Sequence, residues 1–209
     1  CTTGAVQFSE IYDGETQDFT AAPAELQPAR LFDYGFDTII GQENEPVRCL
    51  QKLPVVKDFT TPKGEKVYDF GQNLTGWVEV EIYGEPGQKL TLRHAESLDE
   101  NGNFYTENLS WAKATDTYIL SGGKQILHPH FTWHGFRYLS VEGLQYGQNV
   151  QFTACHLSTD LQQTGSFTCS DKRVNRLQQN IQWSQRDNFV DIPTDCPQRS
   201  ERLGWTGDV

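Results

Sequence analysis

Turn-forming clusters recur between residues 65 and 143 at a spacing that suits short strands and leaves little room for helices. Gly84-Glu85-Pro86-Gly87, Asp99-Glu100-Asn101-Gly102 and Ser121-Gly122-Gly123 each follow or precede a β-rich segment. Val78, Val80 and Ile82 alternate with Glu79, Glu81 and Tyr83, so one strand has an apolar face and a mainly polar face. Leu90 and Leu92 repeat the pattern, and Thr115 to Leu120, Phe136 to Val141 and Val150 to Leu157 read as further strands. Strands with one apolar face must be covered by a second layer, which predicts a mainly β fold built of antiparallel β-sandwich. Upstream, Ala5 to Tyr12 has strand character and Asp13-Gly14 is a turn signal. Pro23 and Pro28 interrupt regular structure, and Pro54 within Pro46 to Lys57 marks an edge strand or connector.

After Thr164 the apolar period changes. Ser170 is the expected cap of a helix whose first turn holds Asp171, with Val174, Leu177 and Ile181 following at helical spacing to about Asn188. The twenty or so residues that follow cannot cover that apolar stripe, so the helix is expected to open a domain that continues past Val209. The chain divides on this reading into residues 1–45, 46–160 and 161–209.

A formal net charge of -11 leaves no basic stripe to neutralise phosphates, which disfavours nucleic acid and anionic membrane surfaces as partners. No apolar run is long enough to insert in a bilayer, and a neutral, hydroxyl-rich partner fits better. The five cysteines are odd in number, lack any C-x-x-C and signal neither a zinc site nor a disulfide framework. Cys1 invites lipidation, but it runs into a strand without a flexible tether, so an anchor is not expected. His128, His130 and His134 raise a metal reading; with no fourth ligand evident, histidines at the surface end of a strand are favoured, and no metal or cofactor is expected. Phe136 and Tyr138 fall on one strand face by alternation and are expected to pack between sheets with core residues rather than form a sugar platform with Trp133.

The run Asp195-Cys196-Pro197-Gln198-Arg199-Ser200-Glu201-Arg202-Leu203-Gly204-Trp205-Thr206-Gly207-Asp208 gathers three carboxylates, two arginines and an indole. Such a loop is often a solvated salt-bridge network. It is also suited to protonating a leaving group while gripping hydroxyls, the chemistry of glycosidic bond cleavage. Cys196 has no histidine near it in sequence and reads as structural rather than nucleophilic.

This run closely resembles the signature of bacterial α-L-rhamnosidases of glycoside hydrolase family 78. The resemblance continues, in family order, through Ile11-Tyr12-Asp13-Gly14-Glu15, Asp69-Phe70-Gly71-Gln72-Asn73 with Gly76-Trp77, His94-Ala95-Glu96, Tyr105-Thr106-Glu107-Asn108-Leu109, Ala114-Thr115-Asp116 and His134-Gly135-Phe136-Arg137-Tyr138. It implies jelly-roll-like β-sandwich modules followed by the first helix of an (α/α)6 catalytic barrel: residues 1–45 end an upstream sandwich domain, residues 46–160 form a second one, and residues 161–209 open the barrel. It further implies Glu201 as general acid, and Asp195, Arg199, Trp205 and Asp208 as ligands of a terminal rhamnose. The family inverts configuration, and its general base lies on a later barrel segment. The implied partner is a rhamnose-containing carbohydrate; a homodimer and a monomer are both open. A periplasmic or extracellular enzyme is implied, with a cytoplasmic one as alternative. The competing reading from another class is a non-catalytic carbohydrate-binding or structural sandwich module.

Overall fold

The computed structural model describes residues 4–21, 28–33, 35–202 and 204–206. In chain order the main strands are β1 (Val6–Glu10), β2 (Gly14–Asp18), β3 (Val47–Pro54), β4 (Lys57–Thr60), β5 (Lys66–Gly84), β6 (Lys89–Ala95), the short β7 (Ser97–Leu98) and β8 (Phe104–Tyr105), β9 (Thr115–Ile119), β10 (Gly123–Leu127), β11 (His134–Glu142) and β12 (Val150–Thr159). Helix α1 (Lys172–Asp187) follows, then the two-residue strands β13 (Phe189–Val190) and β14 (Ile192–Pro193).

The 19-residue β5 is the spine of the fold. Its first half pairs with β11, from Ser140 opposite Val67 to His134 opposite Gly76, and its second half pairs with β12, from His156 opposite Gly76 to Val150 opposite Ile82. The strand therefore exchanges partners at Gly76, and the sheet curls around that point. A methyl group on Gly76 would lie 1.8 Å from the Cys155 carbonyl oxygen, so the exchange needs a residue without Cβ. The sheet runs β1-β2-β9-β6-β11-β5-β12-β3, with β4 and β10 on the opposite flanks of β5. The ladders are antiparallel except β2 on β9, which is parallel and departs from the wholly antiparallel expectation. The long excursion of the chain between those two strands supplies the connection a parallel pair requires. β3 is the edge expected from Pro54, which ends it.

The curl encloses one main core. Val78, Val80 and Ile82 of β5, Leu90 and Leu92 of β6, Tyr118 of β9 and Phe136, Leu139 and Val141 of β11 all point into it. Each such side chain contributes roughly 1.5–3 kcal/mol by leaving water. The pairing of β11 with β5 slips between Phe136 and Tyr138. This bulge puts Phe136 in the main core and Tyr138 in a separate cluster with Val67, Ala95 and Phe104, which corrects the expectation that the two share a face.

Helix α1 is capped by Asp171, not Ser170: its carboxylate accepts the Arg173 N–H, and a carboxylate is the stronger partner for the positive end of a helix. Val174, Leu177 and Ile181 remain 40–56 % exposed along the helix. The opposite side of the helix does the docking. Trp183 packs on the sheet core with its ring 4.9 Å from that of His156, and the Asp187 carboxylate accepts the Thr75 N–H at 3.0 Å.

Candidate functional site

The loop after β14 lies against β11. Gly135 of that strand is where they meet: a Cβ there would stand 2.9 Å from the Gln198 nitrogen and 3.0 Å from the Pro197 carbonyl carbon. Cys196 and Glu201 face each other across an antiparallel bridge, so the loop returns on itself within six residues. The two arginines of the run then do different work. Arg202 is buried with its guanidinium 4.5 Å from the Trp133 ring centre and 5.4 Å from that of Tyr12. Its Nη1 donates to the Cys196 carbonyl at 3.0 Å and to the Arg199 carbonyl. Burial brings Arg202 down to about 10, which leaves it cationic at neutral pH. Its charge braces the loop backbone and touches neither carboxylate.

Arg199 serves the carboxylates. Its Nη2 donates to Glu201 Oε2 at 3.1 Å and stands 3.8 Å from Asp195 Oδ2, while its buried Nε has no partner among the described residues. Asp195 also accepts the Cys196 thiol at 2.9 Å. Burial, helped by that hydrogen bond, raises the thiol above its usual range, so Cys196 is a protonated donor here and a poor nucleophile. The structure thus brings Asp195, Arg199 and Glu201 together. Trp205 is about half exposed beyond them, and Asp208 lies outside the described residues.

A second constellation is one that the sequence motifs held without disclosing. Glu96, at the end of β6, accepts Asn73 Nδ2 at 2.9 Å and Asn108 Nδ2 at 3.3 Å, which joins three separately recognised motifs at one carboxylate. Burial raises Glu96 above the ordinary carboxylate range, against the Asn73 bond. Asp187 is likewise raised by burial, against His156 at 3.1 Å. Asn73 and Asn108 begin N-x-S/T sequons, yet both side chains are committed to Glu96 and Thr75 is wholly buried.

The third constellation is in the core. His134, expected at the sheet surface, is fully buried with Nε2 3.1 and 3.2 Å from the two oxygens of Asp116. The His94 ring stacks on it at 4.2 Å and donates Nδ1–H to the Ala114 carbonyl at 2.9 Å. These three side chains, and separately Asp195, Cys196 and Glu201, bring potential ligand atoms within 4.8 Å of one another. His134 Nε2 spends its proton on Asp116, and stacked imidazoles cannot both aim a lone pair at a common ion, so the core triad reads as a hydrogen-bond network.

A curled β-sheet that holds two carboxylates and an arginine on a loop at the foot of its first packed helix has the equipment of a glycoside hydrolase. Comparison with known proteins gives that class its family. Residues 59–158 match the model of the bacterial alpha-L-rhamnosidase concanavalin-like domain, and residues 162–209 match that of the bacterial alpha-L-rhamnosidase 6 hairpin glycosidase domain. A curated alpha-L-rhamnosidase of Streptomyces avermitilis is 38 % identical over 99 % of this chain, which spans 21 % of that relative. The crystal structure of the native α-L-rhamnosidase of Aspergillus terreus superposes with a TM-score of 0.85 at 39 % identity, over 98 % of this chain and 25 % of that one. The Streptomyces avermitilis α-L-rhamnosidase complexed with L-rhamnose gives 0.85 at 38 % identity, over 98 % of this chain and 21 % of that one. The chain belongs to the bacterial α-L-rhamnosidase family.

Proposed function

We propose that this chain is the sandwich and acid-bearing edge of an inverting hydrolase that removes terminal α-L-rhamnose from glycans or glycosides, and that Glu201 is its general acid. The observation that carries the assignment is the Asp195–Arg199–Glu201 cluster on a loop whose backbone is fixed from beneath by Arg202 and Gly135. A sugar oxygen is a poor leaving group until it is protonated, so Glu201 carries a proton into bond cleavage and surrenders it to the departing oxygen. Asp195 and Arg199, with Trp205 and Asp208, hold the rhamnose. The Arg199 side chain is 43 % exposed, so its guanidinium has N–H donors open to a sugar hydroxyl, and the Trp205 indole suits the apolar C6 methyl of a 6-deoxy sugar. The general base belongs to a later barrel segment, on which the exposed stripe of Val174, Leu177 and Ile181 would pack. In this reading residues 1–45, 46–160 and 161–209 are the end of one sandwich, a second sandwich and the start of the barrel, and the protein works in the periplasm or outside the cell.

The test is hydrolysis of rhamnosyl-glucose by the full-length protein, followed by NMR of the first anomer released. Initial release of β-L-rhamnose supports the reading. Initial α-L-rhamnose places the enzyme among retaining glycosidases, and no release by folded protein moves the function to another glycan or to binding alone. Gly135→Ala probes the docking of the loop: a methyl between β11 and Pro197-Gln198 must displace the backbone that carries Glu201. We expect kcat/KM to fall by about 10²-fold, as misplacement by an ångström does elsewhere, with Gly135→Ala protein still folded by circular dichroism. Unchanged kcat/KM would show that the loop is positioned from the barrel side.

A further inference from the structure

Between the sheet, helix α1 and the acid loop lies a cavity of about 360 Å³, within the range of about 300–1,000 Å³ usual for small-molecule sites. Gln72 and Asn73 of β5, Glu96, Asn180 and Ser184 of α1, and Gln198 of the loop line its walls. Three separate parts of the chain thus turn amide, hydroxyl and carboxylate groups toward one space. Asp195 lines it too, and Asp195 is also a member of the Arg199–Glu201 cluster. The cavity and the acid are therefore joined at one side chain.

We propose that this cavity is the binding site for the leaving-group sugar, so that the sandwich supplies specificity to a reaction whose acid is carried by the loop. The proposal rests on the rhamnoside hydrolase reading. The chemistry of the lining selects the class of ligand. Side-chain amides offer donors and acceptors together, which match vicinal hydroxyls, each of which both gives and receives a hydrogen bond. Among the described residues no lysine or arginine lines the space, so nothing there neutralises an acidic sugar, and the ligand is a neutral hexose or pentose. Trp183, also on the lining, offers the flat apolar surface against which a pyranose face packs. Glu96 keeps its geometry through Asn73 and Asn108, which gives a mechanical reason for three scattered motifs to converge there.

Asn180 is exposed on α1 and is not one of the hydrogen-bond partners of Glu96, so Asn180→Ala leaves the clasp and the fold intact; Asn73→Ala is the second variant, reaching the cavity from the sheet. Both are made in the full-length protein, and kcat/KM is measured on rhamnosyl-glucose, rhamnosyl-glucuronic acid and an aryl rhamnoside whose leaving group carries no sugar. The expected result is a drop of about tenfold in the ratio of rhamnosyl-glucose to aryl rhamnoside for each variant, the size of one lost hydrogen bond, with wild type preferring the glucose over the glucuronate. Ratios that match wild type in both variants overturn the site, and equal turnover of glucose and glucuronate overturns its neutral class. Wild-type protein that hydrolyses none of the three overturns the hydrolase reading itself, a failure distinct from the other two.

Discussion

Glu201→Gln in the full-length protein is expected to lower kcat on rhamnosyl-glucose by about 10²–10⁴-fold, the usual contribution of a positioned general acid. On an aryl rhamnoside with an activated leaving group the loss is expected to be far smaller, because a phenolate departs with little help. The substitution is nearly isosteric, and Arg199 Nη2, now 3.1 Å from Oε2, can still donate to an amide oxygen. Arg202, Gly135 and the Cys196–Glu201 backbone bridge hold the loop without using the Glu201 carboxyl, so the loop should keep its shape. That separation makes the result interpretable. Equal losses on both substrates would mean that Glu201 acts by orienting Arg199, and activity at the wild-type level would remove it from the chemistry. The complementary change, Arg199→Lys, keeps a charge near both carboxylates but loses the planar guanidinium whose Nη2 lies between Asp195 and Glu201 and whose other N–H groups remain for a ligand; a rise in KM larger than the fall in kcat would place Arg199 in holding the sugar.

What could be read from sequence divides along the line between local and non-local interactions. The alternation of Val78, Val80 and Ile82 and the helical spacing of Val174, Leu177 and Ile181 are local, and both appear in the structure as a strand and a helix of the expected kind. The edge position of β3 was legible in Pro54, since proline cannot donate to a ladder. The parallel contact of β2 with β9, the exchange of partners at Gly76 and the bulge that separates Phe136 from Tyr138 each depend on which distant strand lies alongside, and no periodicity encodes that. The same rule holds for the site. Asp195, Arg199 and Glu201 announce themselves by density and residue type, but the division of labour between Arg199 and Arg202 is decided by Trp133 and Tyr12, far away in the chain. Gly135 and Glu96 were visible only as members of motifs; their roles are set by Pro197-Gln198 and by Asn73 with Asn108. His134 was misplaced to the surface because its partners, His94 and Asp116, come from two other strands.

Those partners make the core of this sheet acid-sensitive, and the size of the effect is set by His94. Burial first, then the neighbouring His134, lowers His94 to about 3 from an ordinary value of 6.5, and neither Asp116 nor the Ala114 carbonyl restores it. Between those two values the unfolded chain binds a proton that the folded chain refuses. The contribution that His94 makes is therefore complete above about pH 6.5 and falls by about 1.4 kcal/mol for each pH unit below it. For Asp116, burial acts to raise the carboxyl, but His134, His94 and the Glu15 N–H together hold it below the usual range. Its contribution is thus present above the ordinary carboxylate pKa of about 3.9 and is lost only at still lower pH. The two effects follow one another, with His94 governing the range from pH 6.5 to 4.5. Urea unfolding of this chain across that range should show a loss of about 2–3 kcal/mol from this one residue. In His94→Gln the slope of stability against pH should flatten, although the variant starts lower at pH 7 because the stack on His134 and the contact with the Phe136 ring at 4.9 Å are gone. A slope as steep in His94→Gln as in wild type would remove His94 as the source of the acid sensitivity.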